Sequence, residues 1–440
     1  MSEILSKTES VCPVCLTKLP AERTVGGDGN IYLEKSCPRH GSFSTLIWEG
    51  DRDSYLAWAA HDGGGRTEPV GAVPAQRGCP YDCGLCEGHE RDGCCVLLEL
   101  TKRCNLRCPV CFASAGQGDG GDLPLEEISR QYDLLMERGG PFNIQLSGGE
   151  PTLRDDLPAI IRLGREKGFT FFQLNTNGLR LADEDGYADH LAQAGLSTVF
   201  LQFDGLDDDI CRALRGALLT ERKLRAIDRC KAAGLPVVLV PTVAPGVNDH
   251  ALGDIIRFAL GRAPHVRGVH LQPISYFGRC GLDMPEVRLT IPRVLRELEE
   301  QTDGLIRAEH FGGGGAESPY CSFHASYMRS GCGCLRPLPR RQTQSCCVKS
   351  GDARDFVSRQ WSGKAACCDG DPATASLDAF LQQTVENTFT ISGMVFQDAW
   401  NLDLERLRRC YICEVDTARG MVPFCAYNLT DTNGRALYRT

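Results

Sequence analysis

The chain has 440 residues, 42% of them apolar, which predicts two or three domains with packed cores. Its formal net charge of −9 argues against a surface that is basic throughout, so no nucleic-acid partner is expected. No apolar run approaches the roughly 20 residues that span a bilayer, and the first ten residues lack a signal core, so we expect a cytoplasmic protein without a transmembrane segment.

The cysteine content is unusual, because the chain contains 24 cysteines in groups with short spacings. In a reducing compartment such groups bind metal more often than they form disulfides. Three isolated cysteines are expected only to pack as small apolar residues, namely Cys211, Cys230 and Cys280.

The order of predicted elements indicates an α/β fold with four parts. The sequence predicts an N-terminal module over residues 1–70 and a second cysteine-rich segment over residues 71–95. Over 96–302, six predicted strands alternate with helices, a pattern typical of a parallel sheet with right-handed crossovers. Six units fall short of a closed eight-fold barrel, so the prediction is a partial (β/α)6 TIM-like barrel. Residues 303–440 show weak strand signals and predict a small C-terminal domain organised by metal.

Two cysteine groups share the spacing C-x3-C-x2-C, and only their context separates them: Cys79, Cys83, Cys86 and Cys104, Cys108, Cys111. The second group follows an apolar strand at the start of the βα series, at the predicted barrel mouth. The first group has three possible fourth ligands nearby: His89, Cys94 and Cys95. A [4Fe–4S] cluster with four protein ligands is closed, whereas three thiolates leave one iron open. A structural zinc site, the alternative, requires four ligands.

Polar motifs follow the later strands of the predicted barrel. In Ser147-Gly148-Gly149-Glu150 the glycines allow close approach of the backbone to a ligand, and the glutamate could meet an ammonium group. Further polar side chains are predicted at the same mouth, where together they form a polar rim that could bind the ribose or methionine part of a cofactor, or a substrate: Asn175, Asn177, Gln202, Asp204 and Gln272. Taken singly, each is equally typical of a cap or a turn.

The stretch CNLRCPVC after VLLELTKR, followed by SGGEP and TNG, resembles the radical S-adenosylmethionine superfamily from residue 96 to about 300. The resemblance implies that Cys104, Cys108 and Cys111 hold a [4Fe–4S] cluster whose open iron binds S-adenosylmethionine. Reductive cleavage of that cofactor then gives a 5′-deoxyadenosyl radical. It also implies a reductase or a flavodoxin- or ferredoxin-type electron donor as partner.

Other stretches resemble one subgroup, which contains the archaeal tetraether synthase and enzymes described as dihydropterin methylases: CPVC, CPRHG, GCPYDCGLCEGH, LQFDG, PTVAPGVND and PFCAYN. This resemblance spans nearly the whole chain. It implies one or two auxiliary clusters, a rubredoxin-like mononuclear site, and carbon–carbon bond formation at an unactivated carbon.

Two further ligand sets follow from spacing. Cys12, Cys15, Cys37 and His40 have the two-knuckle pattern of a tetrahedral site, which either zinc or a single iron would satisfy. A zinc ribbon that recruits a partner is the non-catalytic alternative for this module. Near the C-terminus, Cys410, Cys413 and Cys425 form another set, to which the resemblance adds Cys321 as the fourth ligand.

One region departs from the family pattern. It contains the cysteines Cys332, Cys334, Cys346, Cys347, Cys367 and Cys368. They are compatible with another cluster, a thiol site for a soft ion, or an insertion with redundant thiols. The departure weakens the expectation of a lipid substrate.

The main functional hypothesis is therefore a radical S-adenosylmethionine enzyme that forms a carbon–carbon bond at an sp3 carbon of a small-molecule or lipid substrate. The alternative enzyme methylates a pterin-like heterocycle with a folate one-carbon donor. A chain that only carries electrons through iron–sulfur clusters is the alternative from another class.

Overall fold

The structure is a computed structural model that describes residues 3–60, 66–116, 121–282, 288–330, 334–339, 350–362 and 386–439. None of the helices in these ranges is long and apolar enough to cross a membrane.

The N-terminal module is an antiparallel sheet of four strands in chain order, followed by helix α1 (Arg52–Trp58): β1 (Glu3–Val11), β2 (Lys18–Val25), β3 (Ile31–Cys37) and β4 (Gly41–Trp48). Strands β1 and β3 run in the same direction, because each is antiparallel to β2 between them. Their carboxyl ends therefore lie at one edge of the sheet. Cys12 and Cys37 occupy those ends, which brings the two predicted metal knuckles to the same edge.

The centre of the molecule is a parallel sheet whose order β5-β7-β8-β9-β10-β12 confirms the predicted partial barrel. Its strands are β5 (Cys95–Glu99), β7 (Asn143–Ser147), β8 (Phe172–Thr176), β9 (Thr198–Gln202), β10 (Val237–Val240) and β12 (Val266–Pro273). The helices that cover it are α2 (Leu125–Glu137), α3 (Leu157–Glu166), α4 (Leu179–Asp183), α5 (Tyr187–Ala194), α6 (Asp208–Arg215), α7 (Thr220–Ala232), α8 (Leu252–Gly261) and α9 (Ile291–Gln301).

Short strands cross the mouth of the barrel. The loop after β5 contains β6 (Val110–Cys111), which pairs with β13 (Arg279–Cys280) from the loop after β12. Strand β11 (Thr242–Val243) pairs with the end of β12. The two loops that leave the first and the last predicted barrel strands are thus joined to each other.

Strands from the predicted C-terminal region extend both edges of this sheet. Strand β16 (Thr388–Met394) pairs in parallel with β12, and β17 (Ile412–Asp416) pairs in parallel with β5. The sheet continues beyond them through β14 (Ser322–Arg329), β15 (Leu335–Pro337) and β18 (Gly420–Pro423). Weak strand signals did not predict this arrangement, because these partners are distant in sequence.

Three helices of the same region lie around the sheet: α10 (Ser350–Ser362), α11 (Leu404–Arg408) and α12 (Phe424–Tyr427). Arg354 fixes α10 to the amino ends of the barrel strands, because its guanidinium donates to the carbonyls of Gly93 at 2.7 Å and Gly139 at 2.9 Å. Helix α10 therefore closes the barrel at the end opposite the cysteine loop.

The two faces of the parallel strands differ in polarity. On β5, Val96 and Leu98 point to the main apolar core with the helices. On the opposite face, Gln145 of β7 lies beside Gln173 of β8 in register. Side chains alternate between the faces of a strand, so the amides occupy the barrel interior. The interior is therefore mixed, because the apolar Phe200 and Val238 share it with these amides.

Candidate active site

The loop after β5 brings the three predicted cluster ligands into one apolar seat, which contains Leu106, Leu179, Leu219, Cys211, Cys104, Cys108 and Cys111. Burial raises the pKa of the Cys104 thiol to about 12, and the nearby charge of Glu150 acts in the same direction. Free thiolates are disfavoured in this seat, and iron would supply the positive charge that compensates them. A set of three thiolates with one iron left open fits the [4Fe–4S] cluster that the sequence predicts.

Arg215, at the end of α6, is the principal residue that the sequence analysis missed. Its buried guanidinium makes two hydrogen bonds of 2.7 Å to the carboxylate of Asp204. It also lies against the sulfur of Cys108. Burial raises the pKa of that thiol, and the positive charge of Arg215 lowers it. The sequence signal is weak, since Arg215 is one of two arginines on a short amphipathic helix.

The structure thus changes the predicted role of two rim residues. Asp204 is engaged by Arg215 and also accepts from the backbone N–H of Thr242 at 3.0 Å. With the amide of Gln202 turned so that its oxygen faces the guanidinium, that oxygen accepts from Arg215 Nη1 at 2.6 Å. Both residues were predicted to face a ligand, and both instead hold Arg215 beside the cysteine loop.

The two glycines after β7 lie against the backbone of the cysteine loop. A Cβ on Gly149 would be 2.0 Å from the carbonyl oxygen of Arg103, and Gly148 has φ +119°. The N–H of Gly149 donates to the carbonyl of Thr101 at 2.7 Å, and that of Glu150 to Arg103 at 2.8 Å. The glycines are therefore required for contact between two loops, and these two amides are occupied by protein carbonyls rather than open to a ligand.

Glu150 connects the loop after β7 to the loop after β8. Its buried carboxylate accepts from the hydroxyls of Thr152 at 2.6 Å and Thr176 at 2.7 Å, and from the N–H of Asn177 at 2.8 Å. The sequence indicated that this carboxylate could meet an ammonium group, and that stays a prediction. In the structure its oxygens accept from several protein donors, so it also organises the mouth of the barrel.

Asn177 completes this link to the cysteine loop. Its side-chain Nδ2 donates to Oδ1 of the exposed Asn105 at 2.7 Å, and its carbonyl accepts from the buried ammonium of Lys223 at 2.5 Å. Desolvation lowers the pKa of Lys223 to about 8. Loops after three consecutive strands, β5, β7 and β8, are therefore joined through a single polar network.

The remaining rim residues occupy different depths. Ser147 is buried at the end of β7, and its carbonyl accepts from the N–H of Leu100 at 3.0 Å. Asn175 points into the barrel, where its Nδ2 donates to Gln145 at 3.2 Å. Gln272 is half-buried near the end of β12, opposite Thr242. Thr242 connects Gln272 with Asp204, because it is the register partner of Gln272 and donates its N–H to that carboxylate.

Arg279 on β13 anchors the loop after β12 over the cysteine loop. Its Nε donates to the carbonyl of Cys108 at 2.8 Å, and its Nη2 donates to the carbonyl of Ala115 at 3.0 Å. No sequence motif identifies Arg279, because only the pairing of two distant short strands brings it to the site.

The N-terminal ligand set forms a compact group. The ligand atoms of Cys12, Cys15, Cys37 and His40 all lie within 4.8 Å of one another. His40 Nδ1 is 3.4 Å from the sulfur of Cys12 and 3.5 Å from that of Cys37. A tetrahedral zinc site with its usual bond lengths places such atoms about 3.6 Å apart, so the four residues fit a mononuclear metal.

The earlier C-x3-C-x2-C group lies between the N-terminal module and the C-terminal region. Cys79 and Cys83 pack in one apolar cluster with Cys425, and hydrogen bonding to Cys83 raises the pKa of Cys79 to about 11. Tyr438 holds the loop, because its hydroxyl donates to the carbonyl of Pro80 at 2.6 Å and accepts from the N–H of Cys83 at 3.0 Å. Cys86 lies in the same group.

The three candidate fourth ligands for that group have other neighbours. His89 Nε2 is bonded to the carbonyl of Cys410 at 2.7 Å, so that nitrogen faces the C-terminal set. Cys94 and Cys95 lie at the amino end of β5, with their sulfurs 3.8 Å apart. Hydrogen bonding to Cys94 lowers the pKa of Cys95, and Gln145 contributes in the same direction. The pair therefore lies at the amino-terminal end of the barrel strands, where Cys95 contacts Gln145.

The C-terminal cysteines come together although they are distant in sequence. Burial raises the pKa of the Cys425 thiol, and the nearby thiols of Cys410 and Cys321 raise it further. Burial and the thiol of Cys410 likewise raise the pKa of Cys413. Arg406 on α11 donates to the sulfur of Cys321 at 3.5 Å. The structure therefore places these thiols in one region beside a buried arginine. In the departing region, Cys334 is exposed and the other five cysteines lie outside the described residues.

Comparison with known proteins connects these features with a family. A profile described as Radical SAM superfamily matches residues 98–259, and one described as HMPTM N-terminal zinc ribbon domain matches residues 4–49. The chain is 34% identical to the 7,8-dihydro-6-hydroxymethylpterin dimethyltransferase of Methanocaldococcus jannaschii, in an alignment that covers 96% of this chain and 93% of that protein.

More distant similarities have the same character. The chain is 27% identical to the probable GTP 3′,8-cyclase of Methanothermobacter thermautotrophicus, over 63% of this chain and 92% of that protein. Streptococcus suis SuiB bound to S-adenosylmethionine matches with a TM-score of 0.41 and 17% identity, over 48% of this chain and 47% of that one. The first relative covers almost the whole chain at 34% identity, which confirms the resemblance drawn from the motifs. The protein belongs to the radical S-adenosylmethionine superfamily and is an enzyme that uses a [4Fe–4S] cluster and S-adenosylmethionine.

Proposed function

We propose that this enzyme transfers a one-carbon unit to a carbon atom of a pterin-like heterocycle. The observation that carries the proposal is the similarity to a pterin dimethyltransferase over 96% of the chain, from the N-terminal ribbon to the last cysteines. This similarity favours the methylation alternative over the lipid coupling that was our main hypothesis. In the net reaction with a methylene-folate donor, one C–H bond of the substrate is replaced by a C–CH3 bond and both C–N bonds of the methylene carbon break. The tetrahydrofolate supplies the two electrons and leaves as dihydrofolate.

In this proposal Cys104, Cys108 and Cys111 hold the [4Fe–4S] cluster. When bound, the cluster and S-adenosylmethionine supply the radical chemistry that removes a hydrogen atom from carbon. Glu150 orients the loop after β8, and Arg279 closes the loop after β12 over the site. These contacts hold the loops that surround the cysteine loop, where the cluster and the cofactor would bind.

Three other ligand sets are proposed as sites for further iron–sulfur clusters and a single metal ion. Cys12, Cys15, Cys37 and His40 hold the metal ion, zinc or iron. The sequence-adjacent group Cys79, Cys83 and Cys86 holds one auxiliary cluster, and a second occupies the C-terminal set of Cys321, Cys410, Cys413 and Cys425. The first group has its own apolar seat and packs against the second through Cys425, so the two clusters would be neighbours.

We also propose that the chain is divided into four units: 1–70, 71–95, 96–302 and 303–440. Contacts between them are extensive. Lys35 of the first unit donates to the carbonyls of Ala399 and Trp400, each at 2.8 Å, and Tyr81 of the second donates to Leu16 at 2.6 Å. The proposed site of action is the reducing cytoplasm, with a flavodoxin- or ferredoxin-type reductant.

The test is an anaerobic assay of reconstituted full-length enzyme with reductant, S-adenosylmethionine and 7,8-dihydro-6-hydroxymethylpterin. We expect 5′-deoxyadenosine and a methylated pterin by mass spectrometry. Labelled S-adenosylmethionine and labelled methylene-folate, supplied in separate reactions, identify the donor of the carbon. Absence of 5′-deoxyadenosine and of methylated pterin, from protein with an intact cluster and bound cofactor, would contradict the proposed reaction.

A further inference from the structure

A large cavity extends from the barrel interior, where Gln145, Gln173 and Phe200 line it, past α10 to the segment 308–326. Its volume is about 2560 Å³, larger than the roughly 300–1,000 Å³ of ordinary ligand pockets. Trp361 of α10 lies at its floor, where it meets Phe200 edge to face at 5.6 Å between ring centroids. A Cβ on Gly268 would be 2.0 Å from the carbonyl oxygen of Thr390 and 3.1 Å from Trp361, so this glycine allows both the strand and the ring to approach. The cavity is therefore a built chamber with an aromatic floor.

One wall of the chamber is a ladder of side-chain amides. Gln173 Nε2 donates to Asn175 Oδ1 at 2.7 Å, and Asn175 Nδ2 donates to Gln145 Oε1 at 3.2 Å. The NH2 group of Gln145 interacts with the thiol of Cys95 and has a second hydrogen to donate, and the carbonyl oxygen of Gln173 can accept. Because the two glutamines are register partners on adjacent parallel strands, the donor and the acceptor lie side by side.

The opposite side of the chamber is also polar. His270 of β12 bonds to the hydroxyl of Ser392 on β16 at 2.9 Å, and its ring lies 5.9 Å from that of Phe200. A long alkyl chain placed against Gln145 and Gln173 would leave their amides without hydrogen-bond partners in an apolar contact. A flat ring with polar atoms on its edge satisfies both the amides and the aromatic floor.

Resting on the proposed function, we infer that this floor half of the barrel is the pterin-binding pocket. Gln145 and Gln173 pair with the aminopyrimidinone edge of the ring, which carries adjacent donors and acceptors, and Phe200 packs against the ring. The reacting side of the substrate then points along Asn175 toward the cysteine loop. Gln145 and Gln173 are thereby specificity-determining residues.

The test is binding of 7,8-dihydro-6-hydroxymethylpterin to reconstituted full-length enzyme by anaerobic equilibrium dialysis, with and without S-adenosylmethionine. Gln173→Leu and Gln145→Leu should each weaken binding about tenfold or more, because each leaves polar atoms of the ring edge unpaired. The matched control is Gln131→Leu, a buried amide on α2 outside the chamber, which should bind the pterin as the parent does. Iron content and substrate-free release of 5′-deoxyadenosine report that the variants are folded, and if one glutamine variant fails to fold the other decides.

The outcomes separate this inference from the proposed function. If the parent enzyme methylates the pterin but both glutamine variants bind it as tightly as the control, the inference is wrong and the proposed function stands. If the parent enzyme binds hexadecanoic acid and not the pterin, both are wrong. Loss of pterin binding in the variants, with cofactor cleavage intact, supports both.

Discussion

The carboxylate of Glu150 accepts a hydrogen bond of 2.8 Å from the backbone N–H of Asn177, which ties the loop after β7 to the loop after β8. Through Asn105, Asn177 also reaches the cysteine loop. A residue expected to touch the cofactor thus acts by holding together the loops that surround it.

The first prediction concerns this link. Glu150→Gln replaces one acceptor oxygen by an NH2 group that faces protein donors, which costs about 1–3 kcal/mol of unfolding free energy. Affinity for S-adenosylmethionine, measured by anaerobic calorimetry, should fall as well. The matched change is Glu184→Gln, a surface carboxylate paired with Arg180, which should cost at most about 0.5 kcal/mol. Equal effects of the two changes would contradict the assigned role.

The second prediction separates cluster ligation from packing within one apolar seat. Cys108 and Cys211 are both buried there. Cys108→Ala should abolish formation of 5′-deoxyadenosine, since a ligand of the cluster is lost. Cys211→Ala should retain it and lose only about 1 kcal/mol of stability from the vacated volume. The measurements are product analysis and iron content; an inactive Cys211→Ala enzyme would overturn this division.

The third prediction concerns Arg215, which contributes positive charge beside Cys108. Because reduction adds negative charge to the cluster, Arg215→Met should lower the midpoint potential measured by redox titration with EPR detection. Breaking its buried pair with Asp204 should also cost about 3–5 kcal/mol of stability. Arg212→Met, on the exposed side of the same helix, should change neither quantity appreciably. An unchanged potential in a folded Arg215→Met enzyme would exclude an electrostatic role.

The fourth prediction concerns the N-terminal metal. His40→Ala should lower metal retention in this module and increase hydrogen exchange over β1 to β4, because a structural metal contributes directly to folding energy. Formation of 5′-deoxyadenosine should persist, since the cysteine loop lies in the barrel. Metal analysis and exchange mass spectrometry provide the measurements. Loss of cofactor cleavage together with an intact barrel cluster would show that the module participates in the reaction.

The fifth prediction concerns pH. Desolvation lowers the pKa of Lys223 to about 8 in the folded protein, below the value of about 10.4 for an unfolded chain. Between about pH 8 and about pH 10.4, Lys223 is protonated in the unfolded state and largely neutral in the folded state. The contribution of Lys223 to the free energy of unfolding therefore increases as pH rises. The free energy of unfolding of the parent, relative to Lys223→Met, should therefore increase from about pH 8 to about pH 10. The exposed Lys7, changed to Met, should show no such trend.

Local sequence alone determined the cysteine loops, the two knuckles of the N-terminal module and the alternation of strands and helices. Spacings such as C-x3-C-x2-C and short-range apolar periodicity lie within a few residues, so they are visible without a fold. The six barrel strands and the family followed from these patterns.

Only the tertiary structure decided what the polar residues do. Arg215 meets Asp204 and Cys108 because α6 returns to the cysteine loop, and Glu150 meets Asn177 because two strands 25 residues apart lie side by side. The same holds for β16 and β17, which extend opposite edges of one sheet from a region with weak strand signals. Partners of buried polar groups depend on long-range packing, and no local pattern in the chain records which distant residue will supply them.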